Sequence, residues 1–460
     1  MRSRGLWLIF FLISMTGCRV GPAYRRPCVD VPAHWNLQYE EMGAPQNMRW
    51  WEQFGDPVLP QLIEIALSEN KDLKIATARI DQFIGRYQVT RSDLYPQIGL
   101  DTTYGRQRVN ERAAPLSTGT RNPSNIYQVL LVGSFELDLF GKIRSASDAV
   151  LAEINASCFA RQAVAQTLVA AVATAYIDLL GLDLKLLIAR MTADTRGKTL
   201  DIFNKRYNAG VISKLELSQI ESEYQDALAQ IPLFEKQVSQ QEYTISLLLG
   251  QNPSSIARGG TLDALATPVI SEGIPSDLLC QRPEILEAES RLVAANARIG
   301  VAKAAYFPTI SLTGTYGSLS EELKDLFKGD SRVWSYFVPV SMPIFTAGQI
   351  AGEVAVTYAD RQEALYLYQQ RIQEAFKEVE DALVDIERTY EQKGAQEKQV
   401  EALEEYARLA NHRYNEGYTS YLEVLDAESR LFRAQLQLAD TKSNFYTAFA
   451  SLYRALGGCW

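Results

Sequence analysis

Residues 94–105 read LYPQIGLDTTYG and residues 306–317 read YFPTISLTGTYG, identical at six of twelve positions. A second pair, YNAGVISKLELSQIE at 207–221 and YNEGYTSYLEVLDAE at 414–428, is identical at seven of fifteen. The offsets are 212 and 207 residues, so spacing recurs along with the motifs, and most of the 460 residues are two copies of one unit. Each copy reads helix, strand, loop, strand, then a very long helix pair. A two-strand unit of this kind cannot bury its own sheet.

The strand signal is clearest in YQVLLVGSFELDL at 127–139. Tyr127, Val129, Leu131, Gly133, Phe135, Leu137 and Leu139 share one face, while Gln128, Ser134, Glu136 and Asp138 share the other, with Leu130 and Val132 as exceptions. Residues 334–344 alternate in the same way, placing Trp334, Tyr336, Val338, Val340, Met342 and Ile344 together. Shorter runs at 97–106 and 309–318 bring the strands to four. Each is near the ~9–11 residues that cross a bilayer as a tilted strand. A soluble sandwich shows the same alternation, but it would need more strands than these. Four strands cannot close a barrel, and an open edge cannot sit in lipid with its amides unpaired. If the strands span a membrane, several chains share one barrel.

The helices are long. Residues 142–190 and 350–391 lack proline, and ~40–48 helical residues reach roughly 60–70 Å. Turns are expected near Gly181–Asp183 and near 392–395, making each run an antiparallel hairpin, with the Tyr-Asn-x-Gly segments at 207–210 and 414–417 interrupting the returning helices. Pro232 should kink the first returning helix. Upstream, a single helix is expected over 58–93, opened by Asp56-Pro57 and stopped before Pro96.

The N-terminus reads as an export signal. Arg2 and Arg4 precede the apolar run LWLIFFLIS, then Met15-Thr16-Gly17-Cys18 follows. That run is too short for a stable span, and small residues before a cysteine look like a lipoprotein cleavage site. Cys18 is the candidate lipidation residue, carrying N-palmitoyl and S-diacylglycerol groups, with Arg19 behind it rather than an inner-membrane-retaining Asp. The alternative is an ordinary cleaved signal with Cys18 left as a free thiol.

Conventional chemistry has little to work with. The only histidines are His34 and His412, and Cys28, Cys158, Cys280 and Cys459 are scattered without metal-ligand or redox spacing. Neither a catalytic residue, nor a metal site, nor a cofactor is expected. A net charge of −9 without a long basic block excludes nucleic acid as a natural partner. Six methionines, two of them Met1 and Met15 in the signal, supply no thioether ladder for copper or silver.

Six segments, in order, carry a family resemblance: CRVGPAYRRP (18–27), WWEQFGDPVLPQLIEIALSENKDL (50–73), FELDLFGKIR (135–144), Gln230-Ile231-Pro232, RPEILEAESRLVAANARIGVAKAAYFPTISLTGTYG (282–317) and YNEGYTSYLEVLDAESRL (414–431). The chain resembles TolC-type outer-membrane efflux channels, specifically their lipoprotein branch (OprM-like, NodT-type). The resemblance implies an α+β membrane protein, a homotrimer whose protomers each give four strands to a shared twelve-strand barrel and long hairpins to a periplasmic α-barrel. It implies partnership with a periplasmic adaptor, an inner-membrane pump of the RND type and outer-membrane lipid. Function would be passage of small toxic solutes to the exterior, without catalysis, the alternative being a conduit for metal-ion efflux or type I protein secretion. The expected organisation is a signal peptide at 1–17, a lipid-anchored arm at 18–56, repeat 1 at 57–257, a linker at 258–281 and repeat 2 at 282–456.

Family tunnels close at their periplasmic ends, where carboxylates line the constriction. With a turn near Gly394, Glu397, Glu401 and Glu404 share one helix face and become the candidate gate, each a ring of three in a trimer. The competing reading is a solvated face paired with nearby lysines.

Overall fold

A computed structural model describes residues 19–32, 34–36, 49–110, 112, 121–268, 275 and 278–458. Helices α1 (Leu59–Glu69) and α2 (Lys71–Ser92) lead into strands β1 (Gln97–Gln107) and β2 (Ser124–Leu137), then α3 (Lys142–Asn208) and α4 (Lys214–Leu248). The second pass runs α5 (Leu278–Gln281), α6 (Pro283–Ala304), β3 (Thr309–Ser320), β4 (Arg332–Phe337), β5 (Val340–Ser341), α7 (Gln349–Asn415) and α8 (Tyr421–Ala455).

The repeat is carried into the elements to the residue. Helices α3 and α7 are each 67 residues, α4 and α8 each 35, and α2 and α6 each 22. Three glycine pairs with left-handed backbone recur at an offset of 207: Gly141 and Gly348 (φ 76° and 88°), Gly210 and Gly417 (72° and 79°), Gly250 and Gly457 (69° and 86°).

Those glycines place the turns, and the structure corrects the sequence expectation here. Helices α3 and α7 run unbroken through Gly181 and Gly394, each about 100 Å long. Reversal occurs at the Tyr-Asn-x-Gly segments, after 208 and after 415. A lone glycine inside a helix costs only about 1 kcal/mol, which flanking turns absorb. Gly210 and Gly417 instead end their helices in paired caps. The Val211 amide donates to the Arg206 carbonyl at 2.9 Å and the Gly210 amide to Tyr207 at 2.9 Å; Tyr418 and Gly417 repeat this on Arg413 and Tyr414 at 2.9 and 3.0 Å. Ser213 then opens α4 with a reciprocal capping box to Glu216. Its counterpart Ser420 makes no side-chain cap: the Glu423 amide donates to the Ser420 carbonyl at 3.2 Å, and the Glu423 carboxylate is held by Thr419 and by Arg413 at 2.9 Å.

The expected helix over 58–93 is two helices. Buried Asn70 leaves helical geometry at ψ 134°, accepts from the Leu73 amide at 3.1 Å and donates to the Leu248 carbonyl at 2.9 Å. Asp56 opens α1 as the sequence suggests, its Oδ1 accepting from the Val58 and Leu59 amides at 2.8 and 3.0 Å. Pro232 lies inside α4, which continues past it.

The chain forms two compact units that cut across both repeats. One contains Arg79–Ser157, Glu287–Tyr368 and the described residues before 29; the other contains Val29–Ala78, Cys158–Leu286 and the chain from Gln369 onward. In the first, an antiparallel sheet runs β1-β2-β3-β4, and β5 also pairs with β3. β4 and β5 hold one register on β3, with Thr313 opposite Phe337 and Ile310 opposite Val340. Pro339 interrupts them for want of an N–H, though its carbonyl accepts from the Ser311 amide at 3.1 Å. The last strand therefore spans 332–341 rather than 334–344.

In the second unit α3, α4, α7 and α8 pack around a core that includes Val172, Tyr176, Leu179, Ile245, Leu383 and Phe449. Trp35, Trp50, Trp51 and Phe54 of the N-terminal arm close it, with Trp50 stacked on Tyr453 at 4.8 Å. Tyr176, fully buried, donates to Asp56 Oδ2 at 3.0 Å and accepts from the Gly259 amide at 2.9 Å. α3 holds a stretch apolar and long enough to cross a membrane, but 61% of that stretch is buried in the protein, which marks it as core.

Candidate functional site

Register sorts the sheet into two chemically distinct faces, because directly paired residues project to the same side. Leu131 lies beside Leu100 and Tyr316, and Tyr316 beside Trp334. The next row down joins Ile98, Gly133, Gly314 and Tyr336, followed by Phe135 with Leu312 and Leu137 with Ile310 and Val340. These side chains are open to the outside, Ile98 at 76%, Trp334 at 70% and Tyr336 at 69% exposure. An apolar surface this continuous is one built to be covered. The opposite face carries Gln97, Asp101, Thr103, Gln128, Ser134, Glu136, Ser311, Thr313, Thr315 and Ser335, with Thr315 and Ser335 hydroxyls 2.7 Å apart. Ile126, Leu130, Val132, Leu319, Val333 and Phe337 interrupt it. Apolar outside and polar inside is the signature of a strand set that has lipid on one side and water on the other.

The arm is fixed beside the helix end of this sheet. Cys18, the candidate lipidation residue, lies outside the described residues. Arg19, next to it, pairs with Asp148 and lies so close to Gly141 that a Cβ there would meet Arg19 Cγ at 2.9 Å. Two further glycines let backbone touch backbone: a Cβ on Gly21 would sit 2.8 Å from Gly300 Cα. Asn296 donates to the Pro22 carbonyl at 2.9 Å and accepts from Arg361 at 3.1 Å. Tyr24 donates to Glu289 at 3.1 Å, and Arg26 pairs with the same carboxylate at 2.9 Å. Burial first, then the Glu289 charge, push the Tyr24 hydroxyl well above its usual value, so it stays protonated and donating. The chain leaving Cys18 is thus held at Gly141, four residues past the end of β2.

At the hairpin ends the two hairpins pack against each other. Phe203, Leu217 and Ile220 meet Ala407, Ala410, Tyr421, Val424 and Ala427 in one buried cluster. Phe203 packs on Tyr421 at 4.5 Å, and Arg206 donates to the Tyr414 hydroxyl at 2.9 Å. Behind it lies a polar joint. Arg196, 6% exposed, pairs with Glu223 at 3.0 Å, donates to the Glu223 carbonyl at 2.7 Å and covers the Phe432 ring. Ser429 donates to Glu223 at 3.0 Å, and Asn411 donates to Glu428 at 3.3 Å. Burial raises the Glu428 carboxyl above the usual range, opposed by Asn411 and the Arg196 charge.

Glu397, Glu401 and Glu404 are exposed on α7, and Glu404 is about three helical turns before the hairpin end. Glu397 has Lys393 at 3.9 Å. The structure therefore does not bring them to a hairpin tip. Carboxylates nearer the second turn are Glu416, Glu423 and Asp426, with Glu216 and Glu221 at the first. The sequence signal for these turns was a left-handed glycine followed by Ser-x-x-Glu, at 213–216 and again at 420–423.

Residues 62–251 and 274–458 match the family described as outer membrane efflux protein. The chain is 35% identical over 460 residues to the toluene efflux pump outer membrane protein TtgF of Pseudomonas putida, covering 97% of this chain and 95% of that protein. It is 33% identical over 462 residues to outer membrane protein OprJ of Pseudomonas aeruginosa, covering 99% and 96%. The crystal structure of a membrane protein from Pseudomonas aeruginosa superposes with a TM-score of 0.88 at 33% identity, covering 96% of this chain and all of that one.

Proposed function

Since this chain belongs to the outer membrane efflux protein family, we propose that its conduit carries small apolar or amphiphilic toxic compounds, of the solvent and antibiotic kind named for its relatives. It is the outer-membrane channel component of a tripartite efflux system, a transporter rather than an enzyme. It is a homotrimer with a shared β-barrel and a helical periplasmic barrel, and it works with an adaptor and an RND pump. The observation that carries the conduit is the two-faced sheet with open edges: only ring closure between protomers satisfies the edge amides while keeping the apolar face on lipid. Metal-ion efflux and protein secretion are not favoured. Deleting the gene and scoring sensitivity to solvents, dyes, detergents and metal salts tests the cargo. Sensitivity confined to metal salts would overturn the reading.

The lipid anchor is part of this proposal. Acylation at Cys18 would place two or more chains next to Arg19, and each buried CH₂ contributes about 0.8 kcal/mol to membrane retention. The contacts of Arg19 with Asp148 and Gly141 support this, since they fix the start of the described arm beside the helix end of the sheet. The division into signal 1–17, arm 18–56, repeats 57–257 and 282–456 and linker 258–281 belongs to the same proposal. A gate at Glu397, Glu401 and Glu404 would have to be a constriction within the helices, since the hairpin ends lie beyond Asn415.

A further inference from the structure

Only four charged residues lie in the five strands: Asp101, Arg106, Glu136 and Arg332. Register divides them by sign. Asp101 pairs with Leu130 and projects with the polar face, as does Glu136 opposite Ser311. Arg106 pairs with Asn125, two steps from the Tyr104–Tyr127 pair, and so belongs to the apolar face. Arg332, opposite Ser318, sits two residues from Trp334 on that same face. Both inward charges are acidic, and both outward charges are arginines.

Their height is equally uneven. The helices leave the sheet at Ser92 and Lys142, so the loops after Gln107 and before Arg332 are at the other, exterior end. Arg106 is the last outward residue of β1 and Arg332 the first of β4. Beneath Arg106 on that face come Tyr104 and Tyr127, and beneath Arg332 come Trp334, with Tyr316 beside it, and then Tyr336, the aromatic girdle of a membrane boundary. Both arginines are exposed, and among the described residues neither has an ion-pair partner. Two loop carboxylates at that end are already engaged, Glu322 by Arg121 at 2.8 Å and Lys324 at 2.7 Å, and Asp325 by Lys328.

We propose that Arg106 and Arg332 form a binding site for the phosphate groups of a phosphorylated lipid in the exterior leaflet, assembled across the seam between protomers. The site rests on the outer-membrane channel reading. With strands ordered β1-β2-β3-β4 in each protomer, ring closure sets the β4 edge against the partner subunit's β1, so Arg332 and the partner subunit's Arg106 face outward from adjoining strands. A guanidinium fork matches phosphate oxygens bidentately, and two such groups above an aromatic girdle meet a headgroup while the girdle meets its chains. Three seams give three sites, and each needs both protomers.

The test uses the intact trimer in detergent, with bis-phosphorylated lipid A and the same lipid stripped of its phosphates as probes, read by native mass spectrometry. The wild-type trimer should retain the phosphorylated lipid about tenfold better, with up to three copies bound. Arg106→Gln with Arg332→Gln should abolish that preference, while the double lysine variant keeps part of it. Changing Arg121→Gln in the exterior loop should leave it intact. Equal retention of the two lipids by the wild type would overturn the proposal, and that comparison needs no variant to fold. An undiminished preference in the double glutamine variant would overturn it as well. Bilayer conductance of the same preparations separates failure of this site from failure of the channel reading.

Discussion

Two glycines twenty-three residues apart on the same chain should answer alanine in opposite directions. Gly394 lies inside α7 with no heavy atom within 4 Å of the point a Cβ would occupy and with no left-handed φ. Alanine there fills no occupied space and removes the entropic cost of glycine, so it should stabilise by about 1 kcal/mol. Gly417 also has open space around its Cβ, but its φ is 79°. Alanine there meets no neighbour and costs only the left-handed strain, about 1–2 kcal/mol. The two substitutions should therefore differ by roughly 2–3 kcal/mol, one to two decades in an unfolding equilibrium or rate. Gly210→Ala, at φ 72° with the same open space, should behave like Gly417→Ala. Gly457→Ala should cost more than either, since its Cβ would also meet Arg282 Cα at 3.2 Å. The assay is urea- and heat-driven loss of helical signal from purified trimers in detergent, compared at fixed protein concentration. A destabilising Gly394→Ala beside a neutral Gly417→Ala would refute the placement of the turns and restore a hairpin end near residue 394.

The polar joint between hairpins offers a pH test. Glu428 has its carboxyl raised by burial, so its contribution to stability is fully present below the unfolded carboxyl value of about 4.3 and lost as pH rises through the folded value. Hairpin protection in hydrogen exchange should strengthen on acidification over that interval, and Glu428→Gln, which keeps an acceptor for Asn411, should flatten the response. Arg196→Met should cost about 1–3 kcal/mol, discounted from the fully buried case because Glu223 is 33% exposed, and Glu223→Gln in the same background should recover part of it. Cys18→Ser should abolish palmitate labelling; labelling that persists would place the acyl chains elsewhere. Glu397→Gln with Glu401→Gln should leave closed-state leak and ion selectivity unchanged if these are solvated charges, and a changed selectivity would locate a constriction within α7.

What was legible in the sequence was whatever repeats or alternates. The offsets of 212 and 207 reappear as the spacing of α2 to α6 and of α3 to α7, and the two-faced alternation expected over 127–139 holds in β2 as far as Leu137, where Asp138 instead accepts from the Ile143 and Arg144 amides that open α3. Asp56 as a helix opener was equally readable, because a cap is a local arrangement. Hairpin turns were misplaced because an unbroken 67-residue helix lies far outside ordinary lengths, which gave Gly181 and Gly394 weight as breakers. Gly181 has another purpose: a Cβ there would sit 3.1 Å from Ser443 Cβ. Ser-x-x-Glu after each Tyr-Asn-x-Gly was the overlooked cue. Asn70 breaks a helix by bonding to a carbonyl 178 positions away, and the Arg196–Glu223–Ser429 joint spans both hairpins; neither partnership leaves a local mark.

The equal helices conceal an inequality with consequences for symmetry. Pro232 of α4 corresponds at an offset of 207 to Ala439 of α8, and the capping box of Ser213 has no counterpart at Ser420. Three protomers thus supply six hairpins of nearly identical length but two chemical kinds, and the ring has a true threefold axis with only an approximate sixfold one. A ligand that grips one hairpin would saturate at three copies if it reads these differences and at six if it ignores them. In the second case its copies would fall into two classes of unequal affinity, separable as two steps in a titration.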